Sequence, residues 1–233
     1  MSRHRAQQLA AEFLARADAK GWFEALYAEA GSNYAAVPWA DLTPNLNLVG
    51  WSTKQNLVGA GKTALTIGCG YGDDAEFLAE IGFQVIAFDI SPTAIAACKQ
   101  RFPNTQVSYQ VADLLNPPER WMQHYDFVLE SYTLQVLPLE SRAVAIEKIS
   151  RFVAPSGELL VIARGREATD PPGAMPYPLT KPDLEQFEKY GLRCSSFEDY
   201  WDNETPPVRR FRVLYQRRVE GAWGSQRQAN WGD

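Results

Sequence analysis

Three glycines at alternate positions, Gly68, Gly70 and Gly72 in LTIGCGYG, stand directly before the acids Asp73 and Asp74. Glycine loses more conformational freedom on folding than any other residue, so such a run marks backbone that turns sharply or lets something approach closely. The N–H groups that open a helix ordinarily attract phosphate. Two carboxylates in the same place repel a phosphate and suit a cation. Further acids follow at intervals, Asp89 in IAFDIS, Asp113 in VADLL and Glu130 in VLESY, each closing an apolar run that reads as a strand. Singly, each is a solvated carboxylate or a helix cap. Together with the glycine turn they describe one rim of a parallel sheet, where doubly wound folds bind nucleotides. Asp89 is placed there to accept ribose hydroxyls, and Asp113 to meet an adenine amino group.

The elements that must position these residues are legible in the hydrophobic rhythm. Residues 4–30 read as helix, interrupted at Gly21, and Pro44 opens another helix running through Gln55. From Thr63 the chain alternates: strand TALTI, helix Asp73–Ile81, strand QVIAFDI, and a helix capped by Ser91 with Pro92 as its first residue. Strands VSYQVAD and YDFVLES follow, then a helix over 139–153 and strand GELLVIA. That tempo predicts a parallel sheet with crossovers on both faces. TKPDLEQFEKYGL reads as a helix with a capping box from Thr180 to Asp183 and a stop at Gly191. RCSSFEDYW and VRRFRVLYQR are joined only by DNETPP, a link short enough for an antiparallel hairpin. The domain expectation is a helical lid over residues 1–56, a core over 57–218 and a loose tail over 219–233 that carries Trp223 and Trp231.

The 233 residues carry a net charge of −5 and 12% aromatics, and the pI is near 5.2. An acidic chain without a basic stripe argues against nucleic acid as a partner. Cys69, Cys98 and Cys194 have neither metal-ligand nor disulfide spacing, as in a reducing cytoplasm. The N-terminus lacks an uninterrupted apolar stretch, and no window has the apolar length that spans a bilayer. The expectation is a cytoplasmic protein with no metal and no membrane contact, and its oligomeric state is left open. Asn116 to Glu119, NPPE, precedes the fourth strand and reads as a turn, not as the motif of enzymes that methylate DNA bases.

LTIGCGYG, VIAFDIS, VADLL, YDFVLE and GELLVIA with the later hairpin, in this order over roughly residues 40–217, resemble class I S-adenosylmethionine-dependent methyltransferases. The resemblance implies an α/β fold, a Rossmann-like doubly wound sheet of seven strands, mostly parallel with an antiparallel last strand. It implies S-adenosyl-L-methionine as cofactor and S-adenosyl-L-homocysteine as product. Gly68, Cys69, Gly70 and Gly72 would line the cofactor's amino acid and sulfonium portion. Asp89 and Ile90 would hold ribose and the adenine edge, Asp113 and Leu114 the adenine, and Glu130 would lie near the methionine moiety. GCGYGDDAEFLAEIGFQVIAFDIS and the upstream Pro38-Trp39 look most like the thiopurine and tellurite-resistance group, which act on small molecules. Where the family carries an acid two residues before the first glycine, this chain has Thr66, and Asp74 is the candidate substitute.

Trp39 is expected as an aromatic wall beside the sulfonium. Tyr27, Tyr34, Tyr132 and Arg164 are the candidates for the acceptor side, and Arg164 opens a Pro-rich loop of the kind that gates substrate. Methyl transfer is an in-line displacement on an activated reagent, so positioning and water exclusion supply roughly 7–11 kcal/mol of the effect. A thiol acceptor needs no base. His4 and His124 are placed as no base would be, and no catalytic residue is assigned. The expected activity is methyl transfer to a small thiol, selenol, oxygen or nitrogen nucleophile. The alternatives are a catalytically silent cofactor-binding relative and, less favoured by the glycine spacing, an NAD-dependent oxidoreductase.

Overall fold

The computed structural model describes residues 3–218, so the expected tail lies outside the described residues. The helices are α1 (Arg3–Leu14), α2 (Gly21–Ala30), α3 (Leu46–Gln55), α4 (Asp73–Glu80), α5 (Pro92–Arg101), α6 (Leu139–Phe152) and α7 (Lys181–Glu185). The strands are β1 (Thr63–Ile67), β2 (Gln84–Asp89), β3 (Ser108–Val111), β4 (Tyr125–Ser131), β5 (Val153–Arg164), β6 (Leu192–Trp201) and β7 (Arg209–Arg217). They form one seven-stranded sheet in the order β3-β2-β1-β4-β5-β7-β6. β7 runs antiparallel to both of its neighbours, β5 and β6. The doubly wound sheet and its antiparallel final strand match the expectation. By compactness the chain divides into two units, between Asn116 and Pro117.

In the first unit β1 is an apolar run with four of its five residues buried, as a strand covered on both faces must be. It pairs in parallel with β2 from Thr63↔Gln84 to Ile67↔Phe88, and β2 pairs with β3. Several helices begin where a nearby side chain accepts a first-turn N–H. Ser91 Oγ accepts the Ala94 N–H at 3.0 Å, with Pro92 in the first turn. Asp18 accepts the N–H groups of Lys20 and Gly21, which starts α2 and sets the break in the N-terminal helical rhythm. For α3 the cap is Asn45, whose side chain accepts the Asn47 N–H at 2.9 Å. Pro44 therefore precedes the helix and does not open it. Trp22, Leu26, Tyr27 and Ala30 form the buried stripe of α2.

The second unit packs α6 and the 180–190 segment around β4, β5 and β7. Trp121, Phe127, Phe152, Phe187, Phe211 and Tyr215 are fully buried, each worth about 1.5–3 kcal/mol against exposure. β5 starts at Val153, earlier than the GELLVIA reading, with an irregularity in its pairing to β4 between Tyr125 and Phe127. The capping box is present: Thr180 Oγ1 accepts the Asp183 N–H at 3.2 Å, and Asp183 Oδ2 accepts the Thr180 N–H at 2.8 Å. The helix then tightens to 3-10 geometry over Gln186–Tyr190 and stops at Gly191, whose φ is +80°. A five-residue helix has little propagation to stabilise it. Thr180→Ala should therefore lower unfolding free energy by about 1 kcal/mol, read as a shifted denaturant midpoint with an unchanged slope.

Candidate functional site

In the first unit β1 delivers into the glycine turn. Gly68, Gly70 and Gly72 all take left-handed φ, at +57°, +53° and +91°, a region costly for residues with a Cβ. The Gly70 N–H donates to Asp89 Oδ2 at 3.0 Å, and the Ser91 N–H to Asp89 Oδ1 at 2.9 Å. Asp89 is buried, and desolvation pushes its carboxyl up to about 6 although the Ser91, Gly70 and Ile90 N–H groups favour the anion. Asp89 thus ties the turn after β1 to the end of β2.

The glycines answer different demands. A Cβ at Gly72 would lie 2.3 Å from the Tyr109 hydroxyl, so that position is filled by the protein's own ring. Tyr109 donates onward to Glu76 Oε1 at 2.7 Å. At Gly70 the one heavy atom within reach of a Cβ is the Tyr27 hydroxyl, at 3.2 Å. Tyr27 is buried and accepts the indole N–H of Trp39 at 3.0 Å; burial holds its phenol well above the usual range. Trp39 itself is 39% exposed and meets Tyr27 edge to face at 6.0 Å. Tyr27 and Trp39 therefore stand together at the glycine turn, while Tyr34 donates to Gln100 at 3.0 Å.

The acids expected around a cationic ligand are largely engaged by the protein. Asp73 forms a two-pronged pair with Arg101, at 2.7 and 2.8 Å. Asp74 accepts the Asn45 N–H at 2.7 Å, and desolvation raises its carboxyl to about 6. Asp113 is ion-paired with Lys20 and accepts the Leu115 N–H. Leu114 is buried; Cys69 and Ile90 are half-buried. The Cys98 thiol donates to the Gly70 carbonyl at 3.2 Å.

In the second unit β4 ends at Glu130, which is fully buried. Its Oε1 accepts the N–H groups of Thr133 and Leu134 at 2.7 and 2.9 Å, and Oε2 has no partner. Desolvation pushes this carboxyl up to about 7 against those two donors. Tyr132, in the turn that follows, has φ of +64°, rare for a side chain of its size. The Arg210 guanidinium lies 4.9 Å over its ring, held from behind by Asp202 and Glu204. The Arg164 N–H donates to Gln135 Oε1 at 2.9 Å, joining that turn to the start of the Pro-rich loop.

Residues 64–157 match the family model described as a methyltransferase domain. The chain is 28% identical over 173 residues to a 2-heptyl-1-hydroxyquinolin-4(1H)-one methyltransferase of Mycobacteroides abscessus, covering 71% of this chain and 73% of that one. Over residues 64–157 the chain is thus similar to a methyltransferase domain. Two solved structures share the fold. A TehB-like SAM-dependent methyltransferase from Corynebacterium glutamicum superposes at a TM-score of 0.60 with 20% identity, over 82% of this chain and 96% of that one. Magnesium protoporphyrin IX methyltransferase from Synechocystis, solved with bound SAM, gives 0.58 and 18% over 73% and 76%. S-adenosylmethionine is the methyl donor of this class.

This chain's own residues leave polar atoms that such a cofactor can meet. Thr66 Oγ1 and the Tyr71 hydroxyl, beside and within the glycine turn, are buried without a partner, and buried polar atoms are seldom left so. A carboxylate offers about four acceptor positions, and the Gly70 and Ser91 N–H groups take only part of Asp89's capacity. Sequence reasoning missed Tyr71, Lys20, Glu24, Arg101, Gln135 and Arg142. Their partners lie far along the chain, and residue type alone carries no sign of the pairing. Among the described residues no three of His, Cys, Asp or Glu gather as a metal site requires, and no helix is long and apolar enough to cross a membrane.

Glu130 carries a pH signature. With its folded value raised to about 7 and its unfolded value near 4.3, the folded state binds the extra proton between them. Its contribution to stability is full below about pH 4 and is lost as pH rises through about 7. Glu130→Gln should therefore melt above the wild type at pH 8, with the gap closing by pH 5. Melting curves over that range check it, and a gap independent of pH would contradict the assignment.

Proposed function

We propose that this methyltransferase transfers a methyl group to a small-molecule acceptor with a thiol, selenol, oxygen or nitrogen nucleophile, by in-line displacement. The observation that carries the reading is the Gly70 turn, pinned to Asp89 and open except for the Tyr27 hydroxyl. S-adenosylmethionine supplies a methyl group already activated on a sulfonium. The main chain of Gly68, Cys69 and Gly70 lines its amino acid portion. Gly72 contributes by letting Tyr109 brace the start of α4. Asp89 takes a ribose hydroxyl at its remaining acceptor position, Ile90 and Leu114 pack the adenine, and Asp113, steadied by Lys20, receives its amino group. In the second unit Glu130 keeps Oε2 as a buried acceptor without a protein partner. Tyr27 and Trp39 form an aromatic wall that favours a sulfonium by about 0.5–2 kcal/mol and keeps water from the turn. Asp74 is committed to Asn45, so the place of the family's usual acid falls to Thr66, whose unpartnered hydroxyl accepts a hydrogen bond but carries no charge.

The acceptor side belongs to Tyr132 and the loop from Arg164. Stacking under Arg210 fixes the Tyr132 ring, and rigid placement is what an already activated reagent demands. The Mycobacteroides relative, by its name, acts on a hydroxylated quinolone. That supports a small aromatic acceptor and an oxygen nucleophile first among the four. The thiopurine and tellurite-resistance group remains the finer reading, on the likeness of the glycine-turn segment and Pro38-Trp39. A second reading, a silent cofactor-binding protein, is favoured by the uncharged Thr66.

Calorimetry should show binding of S-adenosylhomocysteine and none of NAD. Gly70→Val places a branched side chain at φ +53° against Tyr27. It should weaken that binding at least about tenfold, or roughly 1.4 kcal/mol, while the circular dichroism spectrum stays folded. Unchanged affinity would remove the turn from the site. Turnover against hydroxyquinolone, thiol and amine acceptors separates the active enzyme from the silent reading.

A further inference from the structure

Two arginines of the second unit are almost fully buried, and they are treated differently. Arg210, 3% exposed, is paired with Asp202 and Glu204. Arg142, 6% exposed in the first turn of α6, has no carboxylate within ion-pairing distance among the described residues. Its Nε donates to the Leu137 carbonyl at a long 3.4 Å, and its Nη2 is buried with no partner at all. Asp183 acts on it favourably from further off and Arg166 unfavourably, and Asp183 is already engaged in the Thr180 capping box. A buried guanidinium without a counter-ion is costly, and its Nη2 has a donor left to offer.

The lid over Arg142 points to that function. The Tyr177 ring lies 5.5 Å over its guanidinium and is half-buried. Tyr177 belongs to the Pro-rich loop that starts after Arg164, whose residues 168–174 are exposed. The loop is tied at its ends, by Tyr177 N–H to the Gln135 carbonyl at 2.7 Å and Leu179 N–H to the Arg164 carbonyl at 2.8 Å. Gln135 also holds the Arg164 N–H, so the guanidinium, the loop and the turn after β4 share one set of contacts.

We propose that Arg142 is the docking point for an anionic oxygen group on the acceptor, a carboxylate or an ionised acidic hydroxyl. Nη2 donates to it and the Tyr177 ring forms one wall of the subsite. The assignment rests on the acceptor reading above and deepens it: the preferred acceptors are small aromatic anions. It also adds to the acceptor-side candidates a residue that pattern reading passed over.

The test compares benzoate with benzamide, equal in shape and different in charge, by calorimetry with and without S-adenosylhomocysteine. The wild type should favour benzoate at least tenfold. Arg142→Met should lose that preference, keep its affinity for S-adenosylhomocysteine, and melt no lower than the wild type, because methionine removes a charge that lacks a partner. Arg142→Lys, which keeps the charge without the fork, should favour benzoate by a smaller factor. Equal binding of the two probes by the wild type overturns the proposal, as does an undiminished preference in Arg142→Met. A melting point of Arg142→Met well below the wild type, or its failure to fold, also overturns it, by showing a structural tie to Leu137 and Tyr177. Loss of S-adenosylhomocysteine binding by the wild type would instead sink the cofactor reading.

Discussion

One hydrogen bond organises the first unit of the protein, that from the Gly70 N–H to the buried Asp89 carboxylate. A hydrogen bond to a charged group contributes about 1.5–3 kcal/mol, but its larger effect is geometric. It joins the turn after β1 to the end of β2 one residue beyond the backbone bond from the Cys69 N–H to the Phe88 carbonyl. Ser91 continues the chain of contacts. Its N–H supports Asp89, its hydroxyl caps α5, and the same hydroxyl donates to Glu24 of α2, which also accepts from Thr93. A single carboxylate thereby positions the turn, the next helix and the N-terminal segment that brings Tyr27 and Trp39 to Gly70.

A comparable economy governs the turn after β4. Glu130 holds its start through two N–H groups, Arg142 touches its end at Leu137, and Gln135 between them reaches Arg164 and Tyr177. Held at these points, the turn can keep Tyr132 at a φ that costs energy. Of these clamps, Glu130 and Arg142 each leave one buried polar atom without a partner. Satisfied networks rigidify a core, whereas orphaned atoms are the places where a ligand has something to add.

Much of this was readable before any coordinates. TALTI and YDFVLES are β1 and β4 to the residue, because uninterrupted apolar runs bounded by turn residues allow little else. The Ser91-Pro92 cap and the Thr180 box were legible because capping is chemistry local to a few residues. β5 was read short because Pro155 and Gly157 look like the end of a loop, yet its early pairing forms at the margin of the ladder, where a proline is tolerated. The site was legible as a set of residue types and much less as a set of contacts. Asp113 was expected for adenine, and nothing in VADLL announces Lys20, which lies 93 positions away. Acids at strand tips look alike in sequence whether they face a ligand or hold a neighbouring backbone.

The three glycines show why a motif is weaker than its members. Gly72 is explained by Tyr109, and that packing, together with the Asp73–Arg101 pair, fills the beginning of α4 with the protein's own groups. A dinucleotide fold leaves that place to a pyrophosphate. Its closure is a physical reason, independent of spacing, to set NAD aside. Gly70 differs because its missing side chain is answered only by a hydroxyl at contact distance, and the carbonyl of the same residue is fixed by the Cys98 thiol. With the Gly70 N–H on Asp89 and its carbonyl on Cys98, the two peptide planes that meet at Gly70 are both held. The polar atoms left unsatisfied near the turn are then the hydroxyls of Thr66 and Tyr71.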